Sequence, residues 1–227
     1  MTDIYSKEFV ELIDRWQEKG SGKGKVKIGA ELKQQAASID DKYKTCNVKC
    51  YRQYGFQKDL VYKIHTDLEF TEKISSWTID LNCAKEFKNG IPGKDGGYYG
   101  FIFEIFPKPE QIILNLNELY ADPLFINACK KYAGSIPGGI GKYGNSQKEI
   151  ILEVEKVNVN MITAYAGHNT DLRKLVESQF GPVSDAKFLE LSANFPPNIL
   201  KGEGAWIVGK AKDRVLKRLI EQGKQYK

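Results

Sequence analysis

Cysteine, histidine and methionine are all scarce, at four, two and two in 227 residues. The four cysteines (Cys46, Cys50, Cys83 and Cys129) are too few and too scattered for a disulfide framework. Cys46 and Cys50 are close enough for half of a metal site. No second pair follows, and the only histidines are His65 and His168, so buried apolar thiols are the better reading and no metal is expected. Long apolar runs are missing too, which excludes a membrane-spanning helix. The start, Met1 to Ser6, has no basic stretch followed by an apolar one, so the expected address is the cytoplasm, without a membrane partner. Gly138-Gly139-Ile140-Gly141-Lys142-Tyr143 lacks the first glycine of a P-loop and the Ser/Thr after its lysine. No Gly-x-Gly-x-x-Gly joins a strand to a helix, and two histidines, neither at ligand-pair spacing, give little support to a histidine-based hydrolase. Internal repeats and low-complexity segments are also absent.

What remains is an ordinary globular composition, 41% apolar and 28% charged, in a chain long enough for one large or two small domains. The formal charge of +5 is concentrated at one end: Lys201 to Lys227 holds eight basic and three acidic residues. Such a tail suits nucleic acid, an acidic partner or a solvated helix face.

Periodicity predicts a helix over Asp3–Lys19, with Tyr5, Phe9, Leu12, Ile13 and Trp16 on one stripe, Thr2 or Asp3 as cap and Gly20 as stop. Ser21–Lys27 reads as a flexible connector and Ala30–Tyr43 as a second helix. Strands are expected at Val48–Arg52, Leu60–Ile64, Ser75–Ile79, Tyr98–Phe106 and Gln111–Leu114. Glu149–Val157 and Asn160–Tyr165 read as paired strands. Helices are expected at Leu81–Lys88, Asp122–Tyr132, Leu172–Gln179 and Ala211–Gln222. Loops are expected at Gly90–Gly97 and Gly134–Asn145. Strands in the middle and helices at both ends make an α+β fold.

Three clusters carry chemistry when taken together. Arg52, within Lys49-Cys50-Tyr51-Arg52-Gln53-Tyr54-Gly55, offers a permanently charged fork for a phosphate or carboxylate. Ser76 and Thr78, in Ser75-Ser76-Trp77-Thr78-Ile79-Asp80, share one face of a strand. Asp80 then caps a helix whose Ala84 and Phe87 face inward. Gln147 and Glu149, in Gln147-Lys148-Glu149-Ile150-Ile151-Leu152, stand two apart where a glycine-rich loop meets a strand, so their side chains should point the same way. Taken singly, each cluster also has an ordinary structural reading.

In this order the clusters resemble the arginine–serine–glutamate class of mono-ADP-ribosyltransferases, in its Gln-x-Glu variant. The resemblance covers roughly residues 48 to 165. It departs from the family pattern at Ser76-Trp77-Thr78, where only the first serine of Ser-Thr-Ser is kept. The long interval from Ser76 to Glu149 implies an insertion around Glu118–Ile136.

The resemblance implies a split core of two antiparallel sheets, residues 46–170, flanked by N-terminal helices, residues 1–45, and a basic C-terminal extension, residues 171–227. It implies NAD⁺ as substrate and no metal. Glu149 would stabilise the oxocarbenium-like ribose through its hydroxyls, Ser76 would hold Glu149, and Arg52 would grip the diphosphate. Thr78 would belong to the same NAD⁺ strand, and Trp77, Tyr99 or Phe101 would stack on nicotinamide. Gln147 and Tyr143 would recognise the acceptor. Gln rather than Glu in Gln-x-Glu, with the basic tail, favours a nucleic-acid acceptor, RNA first. A protein side chain other than arginine is the alternative. The resemblance further implies a toxin-like role in bacterial or phage conflict, with a neutralising antitoxin protein. Outside the family, the competing reading is a basic nucleic-acid-binding module that uses the C-terminal helix and the strand tyrosines.

Overall fold

The computed structural model describes residues 4–20, 22–57, 63–87, 91–92, 98–136, 143–169, 177, 181–192 and 205–225. Their elements are α1 (Lys7–Glu18), α2 (Lys23–Ala36), β1 (Cys50–Gln57), β2 (Leu68–Glu69), β3 (Ile74–Thr78), α3 (Leu81–Glu86), β4 (Ile91–Pro92) and β5 (Tyr98–Ile105). After them come β6 (Ile112–Asn115), α4 (Leu116–Ala121), α5 (Pro123–Tyr132), β7 (Glu149–Glu153), β8 (Lys156–Val157) and β9 (Ile162–Asn169). The chain closes with α6 (Asp185–Ser192), β10 (Ala205–Val208) and α7 (Gly209–Gln225). This is an α+β fold with mostly antiparallel strand pairing. Among the described residues no helix is long and apolar enough to cross a membrane.

The chain forms two compact units from interleaved segments. Unit 1 takes Met1–Cys50, Glu69–Asp80 and Ile105–Lys156, and unit 2 takes Tyr51–Leu68, Leu81–Glu104 and Val157–Lys227. The expected succession 1–45, 46–170, 171–227 cuts across both.

In unit 1 the first helix follows its sequence pattern. Tyr5, Phe9, Leu12, Ile13 and Trp16 are all at most 4% exposed. Its cap is Ser6, whose hydroxyl accepts from the Phe9 amide at 3.2 Å, rather than Thr2 or Asp3. The Gly/Lys segment expected as a connector is instead the first half of α2. Tertiary contact overrides propensity there. Lys25 is 7% exposed, with its ammonium bonded to the Trp16 carbonyl and 3.5 Å from the centroid of the Trp16 ring. Gly29 lets α2 approach closely: a Cβ there would lie 3.2 Å from Ile74 and from Trp16 Cζ3. Gly29→Ala should therefore destabilise the protein, although alanine gains about 1 kcal/mol of helix propensity. Overpacking costs about 1–3 kcal/mol, and a ring and a β-branched carbon yield less than a flexible tip would. Urea unfolding reads the sign, and a raised midpoint would refute it.

The helices cover one face of the sheet β3–β7–β6, whose neighbours are antiparallel. Ile74 and Ile151 join Trp16, Leu32, Leu114 and Phe125 in one apolar core. The stretch expected as an insertion forms α4 and α5, which add Leu116, Leu119 and Phe125 to that core. α4 itself was not expected.

Asp122 ties α5 down. Its carboxylate accepts from the Leu124 amide at 2.9 Å, from Tyr5 Oη at 2.8 Å and from Tyr43 Oη. Burial alone would raise this carboxyl, but the bonds from Tyr43, Leu124 and Tyr5 outweigh it and hold the group below its ordinary value. A depressed acid contributes stability that is present above its unfolded pKa, about 3.9, and lost as pH falls through the lower folded value. Unfolding midpoints should therefore drop on acidification below about pH 4. Asp122→Asn should flatten that part of the profile, and an unchanged slope would remove Asp122 from the account.

Unit 2 holds β1, β5, β9 and β10 in the order β10–β9–β5–β1, with β4 parallel to β9. Ala84 of α3 packs on Ile102 and Ala164. Gln53 Nε2 donates to the Ala84 carbonyl at 3.2 Å, fastening α3 to β1. Phe87, expected to face inward beside Ala84, is 42% exposed, because α3 ends at Glu86 before another inward turn is completed. Residues 63–65 form a 3₁₀ turn where a strand was expected. β7 pairs with β3 and β6, and β9 with β5 and β10, so the two segments expected to pair have other partners. Among the expected elements, residues 60–62 of the strand at Leu60–Ile64, residues 90 and 93–97 of the first glycine-rich loop, most of the helix at Leu172–Gln179 and residues 137–142 of the second glycine-rich loop lie outside the described residues.

Candidate active site

The carboxylate of Glu149 is the chemical centre of unit 1. It opens β7 and is 3% exposed. Antiparallel register places Thr78 directly opposite Glu149 and Ser76 opposite Ile151. Opposed residues share a face, so Ser76, Thr78, Glu149 and Ile151 all point to the side that α1 and α2 cover. Ser75 and Trp77 point to the other side, where Trp77 Nε1 donates to Ser75 Oγ at 3.1 Å and its ring meets Phe70 edge-on. The strand pattern thus delivers the expected shared face of Ser76 and Thr78 and brings Glu149 to it. Thr78 Oγ1 also accepts from the Asp80 amide at 3.1 Å, fixing the turn out of β3.

Two side chains from the end of α1 reach this carboxylate. Trp16 Nε1 donates to Glu149 Oε1 at 2.7 Å, in a buried, charge-assisted bond. Gln17 Nε2 is 3.4 Å from Glu149 Oε2 and 3.0 Å from the Gly144 carbonyl. The Gln17 amide is itself oriented by Tyr120, whose hydroxyl donates to Gln17 Oε1 at 2.8 Å. Burial first, then the neighbouring Cys129, Glu149 and Asp14 side chains, push the Tyr120 phenol up, so it stays a donor. Asn117 Nδ2 donates to the Glu149 carbonyl at 3.2 Å. The sequence pattern missed Trp16, Gln17 and Tyr120 as site residues. Trp16 read as one member of an apolar stripe, and no local signal names the partner of a buried indole N–H.

Lys148 sits just before Glu149 with φ of 45°, in the left-handed region that a side chain rarely occupies. Its ammonium is held by Asp80 at 2.7 Å, and its carbonyl accepts from the Ile79 amide at 3.1 Å. That backbone reversal interrupts strand alternation. Gln147 therefore lies in the turn ahead of β7, and the expected common face for Gln147 and Glu149 is not formed. Tyr143 and Gln147 are half-buried members of that turn.

The other expected residues belong to unit 2. Arg52 is half-buried on β1, and Tyr99 is half-buried on β5 with its ring 5.5 Å from that of Tyr165. Two aromatics expected to stack on a ligand are core residues: Trp77 is 1% and Phe101 0% exposed. Phe101 packs against Phe56, Phe103 and Tyr165. Among the described residues no three His, Cys, Asp or Glu side chains group as metal ligands.

Comparison with known proteins finds no match to any family model, curated protein or solved structure.

Proposed function

We propose that this chain is an NAD⁺-dependent mono-ADP-ribosyltransferase acting on a nucleic-acid base, RNA first, in a toxin-like role that a neutralising protein would restrain. The observation that carries this reading is the shared face of Ser76, Thr78 and Glu149, with a buried carboxylate at the head of its strand. Arg52, Ser76, Gln147 and Glu149 follow along the chain in the order that the motif resemblance asks for.

The reaction breaks the bond between ribose C1′ and nicotinamide, forms one between C1′ and the acceptor, and releases a proton from the acceptor. Positive charge grows on the ribose as nicotinamide leaves, and a fixed carboxylate stabilises it. Glu149 would do so by accepting from a ribose hydroxyl. That hydroxyl would bind beside Oε2 and leave Trp16 on Oε1. It replaces Gln17, whose 3.4 Å bond is the weaker of the two. Arg52 would grip the diphosphate. Stacking on nicotinamide falls to Tyr99, since Trp77 and Phe101 are enclosed. Gln147 and Tyr143, in the turn, would meet the acceptor.

The basic face of α7 favours nucleic acid over protein. Lys210, Arg214, Lys217, Arg218 and Lys224 are exposed, while Leu216 and Gly223 are buried.

The test is transfer of label from NAD⁺ into cell extract separated into RNA, DNA and protein, with wild type and Glu149→Ala side by side. Label in RNA that vanishes in the variant supports the proposal. Label in protein alone moves the acceptor to a side chain. Intact NAD⁺ with RNA retained on the protein would replace the enzyme by a binding module.

A further inference from the structure

Two thiols that this reaction does not use lie against each other where unit 1's first segment ends. Cys46 Sγ and Cys50 Sγ are 3.6 Å apart, with only Asn47, Val48 and Lys49 between them in the chain. Cys50 is fully buried and Cys46 half-exposed. The loop turns about Val48, whose carbonyl is 3.3 Å from Cys46 Sγ and 3.9 Å from Cys50 Sγ. One sulfur thus faces reagents while the other waits beneath it.

We propose that Cys46 and Cys50 are a reversible dithiol–disulfide pair, oxidised by small disulfides such as glutathione disulfide. Cys46 thiolate attacks one sulfur of the oxidant, forming a mixed disulfide and expelling one glutathione thiolate. Cys50 then loses its proton and attacks the Cys46 sulfur, expelling the second glutathione. The protein loses two hydrogens, and one glutathione disulfide becomes two glutathiones. Closing the bond to about 2.05 Å moves the sulfurs about 1.5 Å nearer from their 3.6 Å separation, within reach of side-chain rotation.

The order of attack follows from the surroundings. The hydrogen bond from Cys50 draws the Cys46 thiol down, against the opposing effect of partial burial. The same bond and full burial push Cys50 up. The pair's first proton therefore leaves from the accessible sulfur, which is the attacking one. Cys129 is an internal control, half-exposed but with its thiol pushed up to about 11, by burial and then by Asp14.

The experiment equilibrates the full chain in glutathione buffers of rising oxidised fraction, alkylates the remaining thiols and maps them by mass spectrometry after trypsin. Lys49 and Arg52 allow cleavage that leaves Cys46 and Cys50 on separate peptides, held together only if bridged. The expected result is a Cys46–Cys50 link that reductant reverses, with Cys83 and Cys129 still alkylated. In Cys50→Ser, Cys46 should be trapped as its glutathione adduct, whereas Cys46→Ser should leave Cys50 unmodified. Alkylation of Cys46 and Cys50 throughout the series, in parallel with Cys129, would overturn the proposal, as would a link from Cys46 to another cysteine. Neither outcome depends on transferase activity.

Discussion

Glu149→Gln should lower ADP-ribose transfer by about 10²–10³-fold, the usual loss when one preorganised electrostatic contact to a charged transition state is removed. The fold should survive, because the amide oxygen still accepts from Trp16 Nε1, now 2.7 Å from Glu149 Oε1. The glutamine side chain keeps the shape, loses the charge, and turns an NH2 toward Gln17 Nε2 in place of the acceptor now 3.4 Å from it. Glu149→Ala differs in kind. It leaves the Trp16 N–H and a Gln17 donor facing a void, at about 1–3 kcal/mol for a buried donor left unmade. Transfer rates and urea midpoints measured on both variants separate the two effects. Glutamine with wild-type transfer would remove Glu149 from catalysis and leave it a structural carboxylate.

Trp16→Ala should be the most damaging single change to stability. The ring is 0% exposed, meets Gly29 and Lys25 from α2, and bonds to Glu149. Removing a buried Trp side chain costs about 3–5 kcal/mol, against a typical total of about 5–15. For a chain of this length that corresponds to a fall in Tm of roughly 6–20 °C. Trp16→Phe removes the N–H together with part of the indole and keeps one six-membered ring in the core. Its expected loss is smaller, about 1–3 kcal/mol. Equal midpoints for phenylalanine and tryptophan would mean that the indole contributes by packing alone. Thermal or urea unfolding of the three proteins decides this.

Local pattern carried the parts of this architecture whose causes are local. The α1 stripe is visible because Tyr5, Phe9, Leu12, Ile13 and Trp16 recur at helical spacing and all end up buried. The common face of Ser76 and Thr78 is a matter of period two, and β3 keeps that period. Gln147 broke the same rule, since nothing in its neighbours announces that Lys148 will take φ of 45°. The turn is set by Asp80 and Ile79, which hold Lys148 from a distant strand end. α2 was hidden for a related reason. Its glycines are poor helix formers, and the gain that outweighs them lies in Trp16 and Ile74, which Gly29 alone lets α2 approach. Trp77 and Phe101 show the limit for aromatics. Alternation gives the side of the strand, but whether that side meets solvent or core depends on the layers stacked over it.

The bond between Trp16 and Glu149 joins residues 133 positions apart. Ribosomes add about 5–20 residues per second, so roughly 7–27 s separate the synthesis of these two partners. During that interval β3 and β6 are made but β7 is not, and Trp16 lacks the Glu149 carboxylate. The unit closes only after its last segment, which runs to Lys156, has left the ribosome. Its activity, on the proposed reading, cannot switch on before that segment has been made.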